Sequence, residues 1–253
     1  MSIVARATGH VGSIEICRPP HNFFDVELVR SIADALQSFD TDANCRAIVL
    51  CSQGSSFCAG ADFSADAPTA AGPDELNPIY VEALRIFSCT KPIVAAVHGP
   101  AVGGGLGLAL ACDFRVTCAE ARFVANFTRL GVHPGFGLTT SLPRLVGVQT
   151  ASLLLLTGRR VGGEEAVRIG LADMLVERDE VRAQAHGLAA EIAAGAPLAL
   201  QSTRAALRVG LVDAVRQAVA QESRIQSHQF QTQDFREGVK AMAARRPPAF
   251  TGC

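Results

Sequence analysis

The stretch "AVHGPAVGGGLGLALACD" (96–113) places Gly103, Gly104, Gly105 and Gly107 directly after an apolar, strand-like run. A glycine inside a helix costs about 1 kcal/mol relative to alanine. Several in one turn imply that something must approach the backbone closely. Two readings follow. A bare helix N-terminus after a strand presents its N–H groups to negative charge, resident or developing. Alternatively, the glycines serve tight helix-sheet packing with no ligand. The familiar phosphate loops fail here: Gly104 is followed by Gly105 where a P-loop needs lysine, and Leu108 stands where the dinucleotide pattern needs its third glycine. The hydrolase elbow GxSxG fails too, because Gly54-Ser55-Ser56 runs on into Phe57-Cys58.

The surrounding chain sets the frame. With 253 residues, 49% of them hydrophobic and 19% charged, it is long enough for one large domain with a substantial core. A net charge of −1 and no run of like charges argue against a nucleic-acid groove or an anionic membrane surface. No apolar run approaches the roughly 18 residues of a membrane span, and the N-terminal stretch does not read as a signal peptide. The scattered cysteines (17, 45, 51, 58, 89, 112, 118 and 253) include no CxxC and sit partly in apolar runs. They read as reduced core thiols of a cytoplasmic protein, with no support for a metal site.

Periodicity predicts strands at 14–16, 47–52, 92–97, 114–118 and 122–126, and near 174–176. Helices are expected after Asp25 as N-cap, over 76–87, from the glycines through Ala111, and over 149–157, 163–170, 180–194, 197–209, 211–229 and 234–244. The Ala/Pro/Gly-rich 65–72 reads as a mobile surface loop. Strands alternate with helices as far as about residue 178, which predicts an α/β fold with parallel strands buried on both faces. The all-helical segment after about 195 reads as an appendage.

A second bare loop, "FCAGAD" (57–62), also follows a buried strand. Together with "KPIVAAVHGPAVGGGLGLALACD" (91–113), "TRLGVHPGFG" (128–137), "LPRLVG" (142–147), "LTGRRVGGEEAVRIGLAD" (156–173) and "RRPPAFTG" (245–252), it resembles the enoyl-CoA hydratase/isomerase (crotonase) superfamily over nearly the whole chain. The resemblance implies a crotonase-like fold of β-β-α units in residues 1–195, and a helical region at 196–253 that supports homotrimers or dimers of trimers. It also implies an acyl-CoA thioester lying between the two loops, with the N–H groups of Ala61 and Gly104 forming an oxyanion hole. Ala59, Ala61, Asp62, Phe63, Ser64, Gly104 and Phe127 are the implied substrate-binding residues. No cofactor is expected beyond the coenzyme A of the substrate.

The chain departs from the family at the residues that move protons. The two glutamates of hydratases correspond to Gly107 and Phe127, and the carboxylate of isomerases and dehalogenases to Gly135. Standard two-glutamate hydration therefore has no acid or base here. His133 is the nearest titratable candidate, set against its reading as a plain turn histidine before proline. Asp62 and Asp113 read as structural, Asp66 as a loop residue able to swing inward, and Arg129 as a carboxylate binder or a surface ion pair. Phe23, Phe24, Phe127 and Phe136 read as core packing or as an apolar acyl pocket, and Phe250 as a tail contact or as reaching a CoA site in a neighbouring subunit. The expectation is an acyl-CoA enzyme of fatty-acid or related metabolism with atypical acid/base residues. The alternatives are a non-catalytic acyl-CoA binder and a CoA-thioester hydrolase or dehalogenase.

Overall fold

In the computed structural model, which describes residues 2–62 and 76–253, the glycine-rich helix sits at the centre of the molecule. The chain opens with a hairpin, β1 (Ile3–Thr8) and β2 (Val11–Ile16), turning at Gly9 with φ +58°. Helix α1 (Val26–Thr41) follows, its first turn capped by Asp25, whose carboxylate accepts from Leu28 N–H at 2.8 Å. Strand β3 (Ala47–Ser52) is wholly buried. Helix α2 (Pro78–Phe87) begins two residues later than the apolar spacing predicts, because Asn77 caps it and Pro78 occupies its first position.

Strand β4 (Ile93–Val97) leads into the short β5 (Pro100–Val102), then into α3 (Gly104–Ala111). Every residue of α3 is buried, as its unbroken Gly/Leu/Ala sequence requires. Strands β6 (Phe114–Thr117) and β7 (Arg122–Val124) repeat the pairing, followed by a single 3₁₀ turn at Phe127–Leu130. Helix α4 (Leu138–Thr157) breaks at Gly147, with φ 77° and ψ 157°. Only its second half was legible from periodicity. The first half contains Pro143, and its N-terminus is held from a distance: the Glu222 carboxylate accepts from Gly137 N–H at 2.8 Å and Thr139 N–H at 3.2 Å. The remainder comprises β8 (Arg160–Gly162), α5 (Gly163–Arg168), β9 (Met174–Leu175), α6 (Val181–Ala193), α7 (Pro197–Leu207), α8 (Leu211–Gln229) and α9 (Gln233–Ala243).

The strands form a six-stranded sheet, β1-β2-β3-β4-β6-β9, and a three-stranded sheet, β5-β7-β8. Only the β1–β2 pair is antiparallel in the larger sheet, with Ile14 opposite Leu50 and Val49 opposite Val94 in the parallel part. The chain passes from the large sheet to the small one twice, between β4 and β5 and between β6 and β7. Each passage creates a β-β-α unit. Simple β-α alternation misses this, because β5 and β8 are three residues long and carry no pattern. The edge strand β1, largely exposed, escapes for the same reason.

The helices after 196 lie against the core and are not a detached appendage: α8 packs on α2 and α4, and its Leu211, Val215 and Val219 belong to the main apolar cluster. Asp113 is structural, receiving Arg204 at 2.9 Å, Arg208 at 3.0 Å and the Ile93 N–H at 2.8 Å, which ties α7 to the sheet. All eight cysteines are free thiols. Among the described residues, no helix is long and apolar enough to cross a membrane.

Candidate functional site

The loop after β3 is fastened on both sides by main-chain bonds. On one side, Ala59 N–H donates to His21 O at 3.0 Å and Phe24 N–H to Gly60 O at 3.0 Å. On the other, Cys58 N–H donates to Pro100 O at 3.1 Å and Cys58 O accepts from Val102 N–H at 3.0 Å. Asn22, fully buried at φ 52°, locks the first of these seams: its Nδ2 donates to Gln53 O at 2.6 Å and Ser56 O at 2.7 Å, and its Oδ1 accepts from Arg18 N–H at 3.0 Å.

This seam presses "FCAGAD" onto the start of α3. Gly60 has φ +81°, and a Cβ built on it would stand 2.7 Å from Val102 O and 3.6 Å from Gly104 N. On Gly105 a Cβ would meet Cys58 O at 2.0 Å, on Gly104 the Phe24 ring at 2.1 Å, and on Gly107 the Phe136 Cβ at 2.7 Å. The glycines therefore make room for the protein's own chain, so the packing reading accounts for their spacing. What the packing leaves over is a pair of amides. Among the described residues, neither Ala61 N–H nor Gly104 N–H donates to a protein acceptor.

Both residues line a cavity of about 430 Å³, together with Ala59, Asp62 and Phe127. Phe23, Phe24 and Phe136 line it too, and the wall is predominantly apolar. Phe63, Ser64 and Asp66 lie outside the described residues. His133 is not on the lining. Its ring Nδ1 lies 2.7 Å from its neighbour's carbonyl, Pro134 O, and its N–H donates to Gln229 Oε1 at 2.6 Å. Arg129 is turned to the end of α4, donating to Thr157 O at 2.8 Å, and Thr128 is turned to the carbonyls of Leu155 and Leu156. Both serve carbonyls that a helix C-terminus leaves unpaired. Phe250 is exposed and off the lining.

The spaces beside Gly107 and Gly135 are physically filled. Phe136 occupies the space beside Gly107, and a Cβ on Gly135 would fall 2.0 Å from Tyr80 Oη and 2.7 Å from Gln226 Nε2. Tyr80, from α2, and Gln226, from α8, are the hydrogen-bonded pair among the lining residues that sequence reasoning missed. No local pattern joins positions 146 residues apart, although the glycine at 135 marks the space they need. Burial raises the Tyr80 phenol above the ordinary tyrosine range, and the nearby Glu222 carboxylate adds to this; hydrogen bonds from Tyr80 to Gln226 and from the Phe136 N–H oppose it. Burial likewise raises Glu222, opposed by its bonds to Thr139 and Gly137. Burial also pushes the Cys58 thiol, behind Gly105, up to about 12, which leaves it an inert hydrophobe.

A larger, more open crevice of about 730 Å³, bordered by Ser52, His98, Glu120, Arg178 and Arg182, contains none of the candidates. Its mixed charges fit no single ligand class.

The enoyl-CoA hydratase/isomerase family model matches residues 6–253. The protein of Rhodobacter capsulatus named "Probable enoyl-CoA hydratase" is 38% identical over 209 residues, covering 82% of this chain and 81% of that protein. The (E)-benzylidenesuccinyl-CoA hydratase of Thauera aromatica is 33% identical over 259 residues, covering 100% of both. The crystal structure of an enoyl-CoA hydratase/isomerase from Pseudoalteromonas atlantica T6c superposes with a TM-score of 0.88 at 32% identity, over 99% of this chain and 100% of that one. Matched along almost its whole length in sequence and in fold, the chain belongs to the enoyl-CoA hydratase/isomerase family.

Proposed function

We propose that the cavity holds the acyl group of an acyl-CoA thioester, whose carbonyl oxygen accepts hydrogen bonds from Ala61 N–H and Gly104 N–H. The observation that carries this reading is the pair of undonated amides, brought from two distant segments to one apolar cavity. Such donors stabilise charge that develops on the oxygen as an enolate forms, each by about 3 kcal/mol. The reaction class is hydratase or isomerase chemistry through that enolate.

Positions 107, 127 and 135 carry no carboxylate, and Asp62 is the one acidic residue among the described lining. With His133 off the lining, we assign proton transfer to a water in the cavity and not to the imidazole. The same lack of glutamates favours a second reading, a non-catalytic acyl-CoA binder. Calorimetry with butanoyl-CoA and free CoA, followed by deuterium incorporation at the α-carbon in D₂O and by hydration of crotonyl-CoA, separates the two. Tight binding with exchange or hydration supports the enzyme. Tight binding with neither supports the binder. Absence of any preference for butanoyl-CoA over CoA overturns both.

A further inference from the structure

The Tyr80–Gln226 pair is a polar spot on an otherwise apolar wall, and its hydrogen-bond inventory can be worked through atom by atom. Gln226 Nε2 donates to His133 O at 2.7 Å. A carbonyl can only accept, so this bond fixes the amide orientation and turns Oε1 toward Tyr80. Tyr80 Oη, 2.5 Å from that Oε1, must therefore donate its single proton to it. The Phe136 N–H faces Oη and takes at most one of its two lone pairs. One acceptor site on Oη remains, and one proton on Nε2 remains beside it. Both residues line the cavity beside Gly135, whose lack of a side chain makes the room that Oη and Nε2 occupy.

An acceptor next to a donor matches a group that is itself both. We infer that Tyr80 and Gln226 recognise a hydroxyl on the acyl chain: the hydroxyl donates to Tyr80 Oη and accepts from Gln226 Nε2. A carbonyl in the same place meets only the amide proton, and a methylene meets neither. Tyr80 is thus a specificity-determining residue and Gln226 both its partner and its orienting support. The remaining side-chain amides on the lining do not offer this combination: Asn77 Oδ1 caps α2, and Asn126 Nδ2 faces Met242 Sδ at 3.9 Å.

The inference deepens the acyl-CoA reading and rests on it. The test measures affinities of butanoyl-, 3-hydroxybutanoyl-, 4-hydroxybutanoyl- and 3-oxobutanoyl-CoA for the wild type, for Tyr80→Phe and for the control Ser202→Ala, at an exposed position of α7 off the lining. The wild type is expected to favour at least one hydroxyacyl ester over butanoyl- and 3-oxobutanoyl-CoA by roughly 2- to 10-fold, the worth of one neutral hydrogen bond. Tyr80→Phe should equalise the hydroxy and oxo esters, while Ser202→Ala keeps the wild-type order. Tyr80 is the sole tyrosine of a chain with no tryptophan, so its emission near the ordinary tyrosine maximum reports hydroxyacyl binding directly. Equal affinities for all four esters in the wild type, or a hydroxyl preference that survives in Tyr80→Phe, overturn the inference while leaving the acyl-CoA reading intact. Failure of every ester to bind overturns both.

Discussion

The two walls of the cavity are built by different means. One wall is main chain: Ala61 on its loop and Gly104 at the start of α3, held together by the bonds through His21, Phe24, Cys58, Pro100 and Val102. The other wall is side chain: Phe127, Phe136, Tyr80 and Gln226, drawn from a 3₁₀ turn, a tight loop and two helices. A main-chain wall tolerates little, since Gly60, Gly104 and Gly105 are each fitted against backbone or a buried ring. A side-chain wall can be re-equipped residue by residue. The difference teaches that a wall of paired amides can persist while the wall facing it changes; here positions 107, 127 and 135 carry no acid.

The sharpest way to break the comparison is to remove one main-chain donor without disturbing the fold. Proline is tolerated at the first position of a helix, but at 104 its Cβ would strike Phe24. In a Phe24→Ala background, Gly104→Pro should lower α-proton exchange or turnover by about 100- to 1,000-fold relative to Phe24→Ala alone. Near-equal rates would show that the Gly104 amide is not used.

Next in size is the seam. Asn22→Ala removes the partner of Gln53 O and puts alanine at positive φ, for a combined cost of about 3 kcal/mol. In a chain of this length that is a fall in Tm of about 6–12 °C, with weaker acyl-CoA binding as the Ala61 loop loosens. Unchanged melting would contradict the claim that the seam positions the loop.

The side-chain wall is probed through Glu222. Its carboxyl titrates above its ordinary value of 4.5 in the folded chain, so the stability it contributes is fully present below that value and is lost as pH rises through the folded one. Glu222→Gln should cost about 1–3 kcal/mol, because Gly137 and Thr139 donate to different carboxylate oxygens and glutamine turns one of them into an NH₂ donor. Melting across pH should show that deficit largest near pH 4.5 and narrowing toward neutrality. The smallest effect belongs to His133→Ala, expected to change turnover less than about threefold, within what a peripheral contact contributes. A loss beyond a hundredfold would restore the imidazole as acid or base.

What the sequence made legible follows the same division. Glycines are visible in a sequence, and wherever the main chain must come close they leave a mark; "FCAGAD" and the 103–107 run located one wall. Their meaning was only half legible, since the space they clear is taken by Phe24, Cys58 and Phe136 and not by a ligand. The other wall depends on contacts such as Tyr80 with Gln226, which come from parts of the chain that show no local relation. His133 illustrates the hazard: a titratable residue in the right turn, with its ring beside the Pro134 carbonyl and off the cavity. Short strands such as β5 and β8 were missed because three residues cannot display a period.

The filled positions also sharpen what re-equipping the second wall would take. Gly107→Glu with Phe127→Glu is expected to remain inactive on crotonyl-CoA, because the new side chain at 107 collides with Phe136. Adding Phe136→Gly, at a residue with φ 61°, clears that space and relieves the backbone. Hydration by the triple variant, absent from the double, would confirm that packing excludes the first glutamate.

The central claim concerns one oxygen. A crystal structure of the chain with a bound, unreactive acyl-CoA analogue measures it directly: the thioester oxygen should lie within about 2.7–3.2 Å of both the Ala61 and the Gly104 nitrogen. An ester seated in the cavity with that oxygen facing neither amide would contradict the account.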